Sequence, residues 1–185
     1  MADVVRYFND VNEKLKDKMY MEKAEDIFKF IPMKMEQFYD KFDKECMKNS
    51  DLTQCGSIYA KAFPMEYWGI DWTTENATEY LRDFFEQKRF VGFVYEENEE
   101  VLGCIFALRK ISGSKEEIYI NEMAVLPERQ GQGIGKQLLN TVKDYSKDKG
   151  LAGIVLYTSE YAPAAKFYEK NGFKLSNGTI CMYCE

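Results

Sequence analysis

A glycine-rich turn between a strand and a helix constrains this chain more than any other feature. Residues 118–136, IYINEMAVLPERQGQGIGK, combine a strand pattern that ends at Pro127, three alternating glycines (Gly131, Gly133 and Gly135) and the start of a helix. Glycine adopts left-handed conformations and lets a ligand approach the backbone closely. The first amide groups of a helix bind anions because they have no partners within the helix. The stretch therefore predicts a phosphate-binding turn.

The spacing of these glycines excludes two common nucleotide-binding loops. A dinucleotide-binding fingerprint requires G-x-G-x-x-G, but Lys136 stands at the position of the third glycine. A Walker loop requires a glycine five residues before Gly135 and a Ser or Thr after Lys136, but these positions hold Gln130 and Gln137. The pattern that remains is Gln130-x-x-Gly133-x-Gly135.

Hydrophobic periodicity predicts a domain of the α/β or α+β class, with a mixed central sheet flanked by helices. The predicted helices cover residues 51–62, a segment from Thr73 or Thr74 to about 85, residues 134–150 and residues 163–171. The predicted strands cover residues 45–48, 90–95, 101–109, 118–126, 153–158, 173–175 and 179–183. An aromatic loop at residues 63–72 separates the first two helices.

The first 42 residues differ in pattern from the rest of the chain. They contain no glycine, and their apolar residues recur at helical spacing. We therefore predict a helical extension at 1–42 and a separate domain at 43–185. The extension is expected to pack on this domain or on a partner subunit, which leaves a homodimer open.

Composition excludes several classes of function. The 185 residues include no histidine, so acid–base chemistry must use Glu, Asp, Tyr, Cys or Lys. Cys181 and Cys184 are the only close cysteine pair, and no second pair completes a zinc site, so we predict no metal. A net charge of −6 argues against a nucleic-acid partner. No apolar run reaches the ~18 residues of a membrane span, and no signal-peptide core is present, so we expect a cytoplasmic protein without a membrane partner.

Two motifs in the expected order resemble the GNAT superfamily of acetyl-CoA-dependent N-acetyltransferases. The first is Gln130-x-x-Gly133-x-Gly135 after Val125-x-Pro127, and the second is AAKFYEKNGF at 164–173. The resemblance covers residues 43–185 and implies that acetyl-CoA is a co-substrate whose pyrophosphate lies on the glycine turn. The cofactor-binding residues that it implies are Met123, Ala124, Val125, Gln130, Gly131, Gln132, Gly133, Ile134, Gly135 and Lys136.

The resemblance also implies roles within this cofactor site. The main-chain groups of Met123 and Val125 would pair with the pantetheine arm as an added strand does. Arg129 and Lys136 would add positive charge, or they are solvated surface side chains.

An amine acceptor poses an energetic problem, because losing its proton at pH 7 costs roughly 4–5 kcal/mol. Glu122 is the candidate base, since it lies on the cofactor strand and alternation places it opposite in sense to Asn121 and Met123. The alternative is a carboxylate that has a structural role or that only orients the substrate. By resemblance, Tyr168 hydrogen-bonds or protonates the departing thiolate; the alternative is a core tyrosine.

The acceptor side is defined by charge and by a weaker resemblance. Residues 71–100 carry nine acidic and three basic side chains, which indicates either attraction of a cationic acceptor or a solvated acidic surface. The segments PMEYWGIDWTTENA, INEMAV and LYTSE resemble aminoglycoside 6′-N-acetyltransferases, which act on polycationic amines. The candidate acceptor-binding residues are Trp68, Asp71, Trp72, Glu75 and Tyr161.

The sequence thus predicts direct acetyl transfer from acetyl-CoA to a primary amine of a small cationic molecule, in a ternary complex. Two alternatives stay open. Tyr161 stands where many family members have an asparagine that contacts the cofactor arm, which leaves room for an acetyl-CoA-binding regulatory module without turnover. A protein or peptide N-acetyltransferase is the other alternative.

Overall fold

A four-stranded sheet is the centre of the computed structural model, which describes residues 46–176. Strands β1 (Phe90–Glu97), β2 (Glu100–Ser112), β3 (Lys115–Val125) and β4 (Ile154–Leu156) lie side by side in that order. Strand β2 is antiparallel to both β1 and β3, and β4 is parallel to β3. The predicted mixed sheet with flanking helices is confirmed. The helical extension and the boundary at residue 43 lie outside the described residues.

Helices cover both faces of this sheet. They are α1 (Leu52–Ala62), α2 (Met65–Trp68), α3 (Thr74–Phe85), α4 (Ile134–Asp148) and α5 (Pro163–Lys170), with 3₁₀ turns at Asn49–Asp51 and Pro127–Arg129. Helices α1 and α3 pack on the face that carries Cys104 and Phe106 of β2. Helix α4 packs on the opposite face, where Gly103 approaches Ile134. All eight residues from Val101 to Leu108 are buried because both faces are covered.

A glycine in α1 lets the first two long helices approach each other closely. A side chain at Gly56 would stand 2.1 Å from the hydroxyl oxygen of Thr78 and 2.9 Å from the carbonyl oxygen of Thr74. Only glycine fits at such a contact. The contact sets α1 beside α3 one turn before Tyr59, which is buried on the inner face of α1.

A capping box fixes the start of α3, and the N-cap is Thr73, one of the two predicted starting residues. The hydroxyl of Thr73 accepts a hydrogen bond from the amide of Asn76, and the side-chain oxygen of Asn76 accepts one from the amide of Thr73. This arrangement satisfies amides that the helix itself leaves unpaired. Ala77 and Leu81 then lie one turn apart on the buried face of α3.

The predicted strand at residues 173–175 is wrong, because the backbone there serves to end α5. Gly172 takes the left-handed φ of 87°, and its amide donates to the carbonyl of Glu169. The amide of Phe173 donates to the carbonyl of Tyr168, which completes a Schellman motif. Residues 173–176 form no strand. The predicted strand at 179–183 lies outside the described residues.

The predicted first strand is shorter than expected. Cys46 forms an isolated bridge with Phe93 of β1, and the amide of Met47 donates to the carbonyl of Gly92. The chain then turns, because the amide of Lys48 donates to the carboxylate of Asp51. Two residues therefore meet β1 where a short strand was expected.

Candidate active site

A β-bulge in β3 determines the face on which Glu122 lies. Phe106 of β2 pairs with Glu122, but the next residue, Ala107, pairs with Ile120, so Asn121 is an extra residue. Glu122 therefore lies on the face covered by α1 and α3, and Met123 lies on the face of α4. The opposed senses of these two side chains agree with the prediction from alternation, whereas Asn121 stands outside the alternation.

Two tyrosines hold the carboxylate of Glu122. The hydroxyl of Tyr80, on α3, donates to Oε1 at 2.6 Å. The hydroxyl of Tyr59, on α1, donates to Oε2 at 3.0 Å. Each carboxylate oxygen therefore accepts one phenol and keeps acceptor capacity for a further donor.

Burial and hydrogen bonding act on Glu122 in opposite directions. Removal from water raises the pKa of its carboxyl group above the ordinary value, while the hydrogen bonds from Tyr80 and Tyr59 lower it. Burial and the neighbouring carboxylate raise the pKa of both phenols, so they stay protonated and remain donors. A carboxylate with a raised pKa is a better proton acceptor than one in water.

Tyr168 lies close enough to Glu122 to respond to its charge. Burial first, and then the negative charge of Glu122, raise the pKa of Tyr168 to about 12. Its ring packs edge-on against Phe167 and Phe173, with centroids 5.4 and 5.6 Å away. The Schellman motif at the end of α5 supplies the second of these contacts, so the same cap that ends the helix also positions the phenol.

The sheet opens beside these side chains. Strands β3 and β4 pair only from Ile118 to Ile120 with Ile154 to Leu156. Residues 121–125 continue along β2 without pairing to β4 in the described part of the chain. The unpaired edge of β3 is the kind of edge to which an extended ligand can add. At this edge, the buried side-chain oxygen of Asn121 has no hydrogen-bond partner among the described residues, which fits a site that a polar ligand completes.

The glycine turn leads into a helix start without a cap. Gly131 and Gly133 have positive φ values of 76° and 90°, and Gly133 is the N-cap of α4. No side chain caps α4, and its first turn has no acidic residue. Gly135 serves another purpose, since a side chain there would stand 3.3 Å from the ring of Phe167. The helix start is thus free to bind an anion.

Some polar side chains around this turn already form hydrogen bonds or ion pairs within the protein. The side-chain amide of Gln130 donates to the carbonyl of Val125 at 3.0 Å, which ties the turn to the end of β3. Arg129 forms an ion pair with Glu97 at 2.5 Å and hydrogen-bonds to Gln132. Lys136 is exposed on the first turn of α4. Of the two predicted cations, Arg129 is held by a carboxylate of the β1–β2 hairpin.

A cluster of aromatic side chains lies beside the two tyrosines that hold Glu122. Trp72 contacts both tyrosines, with ring centroids 5.2 Å from Tyr59 and 5.1 Å from Tyr80. Trp68 packs on Phe63, which in turn packs on Tyr59. The structure thus brings the two predicted tryptophans to the same side of the sheet as Glu122.

The other predicted acceptor residues lie in more exposed positions. Asp71 is exposed, and its main-chain carbonyl accepts a hydrogen bond from the side chain of Asn76. Glu75 is exposed in the first turn of α3, where its own backbone amide and the Thr73 hydroxyl lower its pKa. A carboxylate at a helix start has a structural reason to be there. Tyr161 is 85% exposed and lines a cleft of about 570 Å³ with Glu160, Lys166 and Lys170.

Tyr59 and Tyr80 are not among the predicted site residues, yet both hydroxyls reach Glu122. One signal could have found them. A buried tyrosine needs a partner for its hydroxyl, and Glu122 is a carboxylate in an otherwise mostly apolar strand. The pairing itself requires the packing of α1 and α3 against β3.

Two absences hold for the described residues. No helix within 46–176 combines the length and the apolar character that crossing a bilayer requires. Within the same range, no three acidic or cysteine side chains are grouped so as to hold a metal ion.

The chain is similar to proteins named as N-acetyltransferases. It is 34% identical over 93 residues to probable N-acetyltransferase 14 of Xenopus tropicalis, which covers 50% of this chain and 44% of that protein. It is 32% identical over 103 residues to N-alpha-acetyltransferase 30 of Schizosaccharomyces pombe, which covers 54% of this chain and 69% of that protein. The match to the Xenopus protein thus spans less than half of that protein's length.

Solved structures share the fold. One is an aminoglycoside acetyltransferase from an uncultured soil metagenomic sample, in complex with sisomicin, with a TM-score of 0.62, 19% identity and coverage of 76% of this chain and 93% of that one. Another is an aminoglycoside N-acetyltransferase in complex with CoA, with a TM-score of 0.61, 16% identity and coverage of 76% and 92%. Residues 54–173 match the family model described as the acetyltransferase (GNAT) family. This chain belongs to that family, as the two motifs predict.

Proposed function

We propose that this protein transfers an acetyl group from acetyl-CoA to a primary amine of a small cationic molecule, directly and in a ternary complex. One observation carries the proposal: the half-buried carboxylate of Glu122 lies on β3 where this strand loses its pairing to β4. A base is thereby available next to an open strand edge.

The proposed place of acetyl-CoA follows from the two halves of the glycine stretch. The uncapped start of α4 would hold the pyrophosphate, through the amides of residues 131–136. The free edge of β3 at Met123 and Val125 would pair with the pantetheine arm. The thioester would then lie beside Glu122 and Tyr168. Support comes from the family match and from the related fold that contains CoA.

The proposed reaction uses Glu122 as the proton acceptor. The acceptor arrives as an ammonium ion and loses one proton to the carboxylate, which exposes the nitrogen lone pair. The nitrogen attacks the thioester carbonyl carbon, a C–N bond forms, and the C–S bond breaks. The nitrogen then gives up a second proton, which ends on the released thiolate, so the products are the neutral amide and the free thiol of CoA, and the first proton leaves Glu122 for solvent. Burial raises the pKa of Glu122 toward that of the amine, so proton transfer from the ammonium ion to the carboxylate costs less free energy.

Tyr168 is proposed to stabilise the thiolate as a hydrogen-bond donor. With a pKa of about 12, the phenol stays protonated, and donating its proton outright to a thiolate of pKa ~8.5 is uphill by several kcal/mol. Once Glu122 has taken up a proton, its charge no longer raises the pKa of Tyr168, and the phenol becomes a stronger donor. The base and the donor therefore act in sequence.

The choice of a small cationic acceptor has three supports. Residues 71–100 have a net charge of −6, from nine acidic and three basic side chains. Trp72 and the tyrosines beside Glu122 present aromatic rings, which attract cations. The related fold in complex with sisomicin is an aminoglycoside acetyltransferase.

A thiol-release assay tests the proposal. Purified protein is mixed with acetyl-CoA and a panel of polyamines, aminoglycosides and simple alkylamines, and the released thiol is quantified together with the acetylated product. We expect turnover with at least one small cationic amine. Binding of acetyl-CoA by calorimetry with no thiol release across the panel would favour a regulatory module instead.

A second function has one specific observation in its favour. The relative from Schizosaccharomyces pombe is an N-alpha-acetyltransferase, and 69% of its length is matched. Peptides with free N-termini therefore form a separate arm of the panel. Turnover with peptides and with no small amine would replace the proposed acceptor class while leaving the acetyl transfer in place.

A further inference from the structure

Three elements far apart in sequence meet at one carboxylate. Tyr59 on α1 is 63 residues from Glu122 on β3, and Tyr80 on α3 is 42 residues from it, yet both hydroxyl groups reach the carboxylate. Tyr59 is 5% exposed, so its hydroxyl is largely withdrawn from water and depends on this partner.

The two phenols are held in place by their rings. The centroids of Tyr59 and Tyr80 lie 5.7 Å apart, and Trp72 lies against both. Phe63 packs on Tyr59 at 4.4 Å, and Phe84 packs edge-on against Tyr80 at 5.2 Å. With both rings supported on two sides, the hydroxyl groups have little freedom to turn away, and the carboxylate is fixed between them.

We propose that Tyr59 and Tyr80 are positioning residues for the acceptor base: they fix the direction of the Glu122 carboxylate and favour its ionised form, leaving one lone pair on each oxygen for the amine. The proposal rests on the proposed function, since it concerns the same base. It assigns to two tyrosines the task of keeping a half-buried carboxylate able to accept a proton at neutral pH.

The groups that face Glu122 give the sign of the effect. Tyr59 from α1 and Tyr80 from α3 donate to the ionised form and lower its pKa, and burial raises it. Tyr168 from α5 is coupled to the charge of Glu122, and the cross-strand neighbour on β2, Phe106, is apolar. Removal of either phenol hydroxyl takes away a stabiliser of the anion, so the pKa of Glu122 must rise.

The pH dependence of acetyl transfer follows. The ionised carboxylate is the active form, so the acid limb of kcat/KM lies at the pKa of Glu122. In Tyr80→Phe this limb moves upward by about one pH unit, since a phenol bonded to a carboxylate is a charge-assisted donor. In Tyr59→Phe the shift is smaller, because its bond is 3.0 Å rather than 2.6 Å. Above the shifted limb, kcat/KM returns toward the wild-type plateau.

The experiment measures the ionisation directly. Glutamate labelled with ¹³C at the side-chain carboxyl is incorporated into the full chain, and the Glu122 signal is assigned by its loss in Glu122→Gln. Its titration midpoint is followed by NMR in the wild type, Tyr80→Phe, Tyr59→Phe and the control Tyr119→Phe. Tyr119 is on the same strand, and its ring packs edge-on against Tyr157, whereas the hydroxyls that reach Glu122 are those of Tyr59 and Tyr80.

We expect an upward shift in both test variants and none in the control, with the acid limb of kcat/KM following the same order. A midpoint that stays or falls in folded Tyr80→Phe and Tyr59→Phe overturns the inference. If Tyr59→Phe fails to fold, the half-buried Tyr80 carries the test.

The proposed function and the role of the two tyrosines can fail separately. Absence of turnover with every amine defeats the proposed function but leaves the titration readable, whereas an unmoved titration in an active enzyme defeats only the role of the tyrosines.

Discussion

The two ends of the candidate site offer different groups to a ligand: mainly backbone at the end proposed for the cofactor, and side chains at the end proposed for the acceptor. At the cofactor end, backbone amides and two glycines with positive φ form the turn before α4, all within six residues of one another. At the acceptor end, the side chains of Tyr59, Tyr80 and Glu122 come from three separate elements. A backbone turn of this kind needs glycines at the positions with positive φ but places few demands on other side chains. A variable acceptor is better matched by side chains, which can be exchanged without disturbing the turn.

The substitution with the largest expected effect disables the acceptor end and leaves the cofactor end intact. In Glu122→Gln, acetyl transfer should fall by about 10²- to 10⁴-fold in kcat/KM, since a neutral amide cannot take the amine proton. Acetyl-CoA binding should stay within about twofold by calorimetry, because the turn before α4 is intact. Thiol release and titration calorimetry on the same preparation check both parts. Unchanged turnover would show that Glu122 only orients the acceptor.

A smaller effect is expected from the phenol that couples the two ends. In Tyr168→Phe, kcat should fall by roughly 10- to 100-fold, the loss expected for one hydrogen bond to a developing charge. The KM for the amine should hardly change, because the bond forms with the leaving thiolate. Steady-state kinetics with varied amine separates kcat from KM. Phe167→Leu alters the same ring cluster without removing a hydroxyl and is the control. A rise in KM with kcat intact would assign Tyr168 to acceptor binding instead.

The glycine turn before α4 was predictable from sequence because its information is local. Gln130, Gly133 and Gly135 lie within six residues, and their spacing alone separates this turn from other phosphate loops. Helix boundaries followed from equally local signals, such as the threonine that caps the start of α3. Local signals also misled once. Alternating Phe173 and Leu175 favour a strand, but Gly172 just before them ends α5 with a Schellman motif that uses the Phe173 amide.

The acceptor end was only half predictable for the same reason. Glu122 and Trp72 stood out by residue type, but no periodicity says that Tyr59 and Tyr80 reach one carboxylate. That meeting depends on Gly56, which lets α1 approach α3, and on the bulge at Asn121, which sets the face of Glu122. Both are properties of packing between distant segments. Sequence patterns report which face of an element is buried, and not what a buried hydroxyl meets there.

A third variant is expected to weaken the cofactor end and to leave the acceptor end intact. In Gly133→Ala, the Kd for acetyl-CoA should rise about tenfold, because an alanine at φ 90° is strained by about 1–2 kcal/mol and the turn must shift to relieve it. The acid limb of the pH profile should not move, since the Glu122 network is untouched. Gly113→Ala is the matched control, with a φ of 63° in the β2–β3 turn. Equal weakening of binding in both variants would mean that general destabilisation, rather than the turn, is responsible.

The smallest expected effect asks how far side chains contribute to the cofactor end. Arg129 is held by Glu97, whose carboxylate also accepts the Tyr95 hydroxyl, and these two partners lower the pKa of Glu97, so it is ionised at neutral pH. In Glu97→Gln, a negative charge beside the turn is lost and Arg129 is released toward the bound phosphates. Acetyl-CoA should then bind tighter by less than about threefold, and the gain should fade as salt is added.

Glu99→Gln, two residues farther along the same hairpin turn, changes the net charge equally and is the control. Calorimetry at low and high salt compares the two variants. If Glu97→Gln instead weakens acetyl-CoA binding, the ion pair between Arg129 and Glu97 stabilises the shape of the turn. The cofactor end would then depend on side chains, as the acceptor end does. A small gain confined to Glu97→Gln would show that the released Arg129 adds to binding, and its size would leave the backbone as the main binding element.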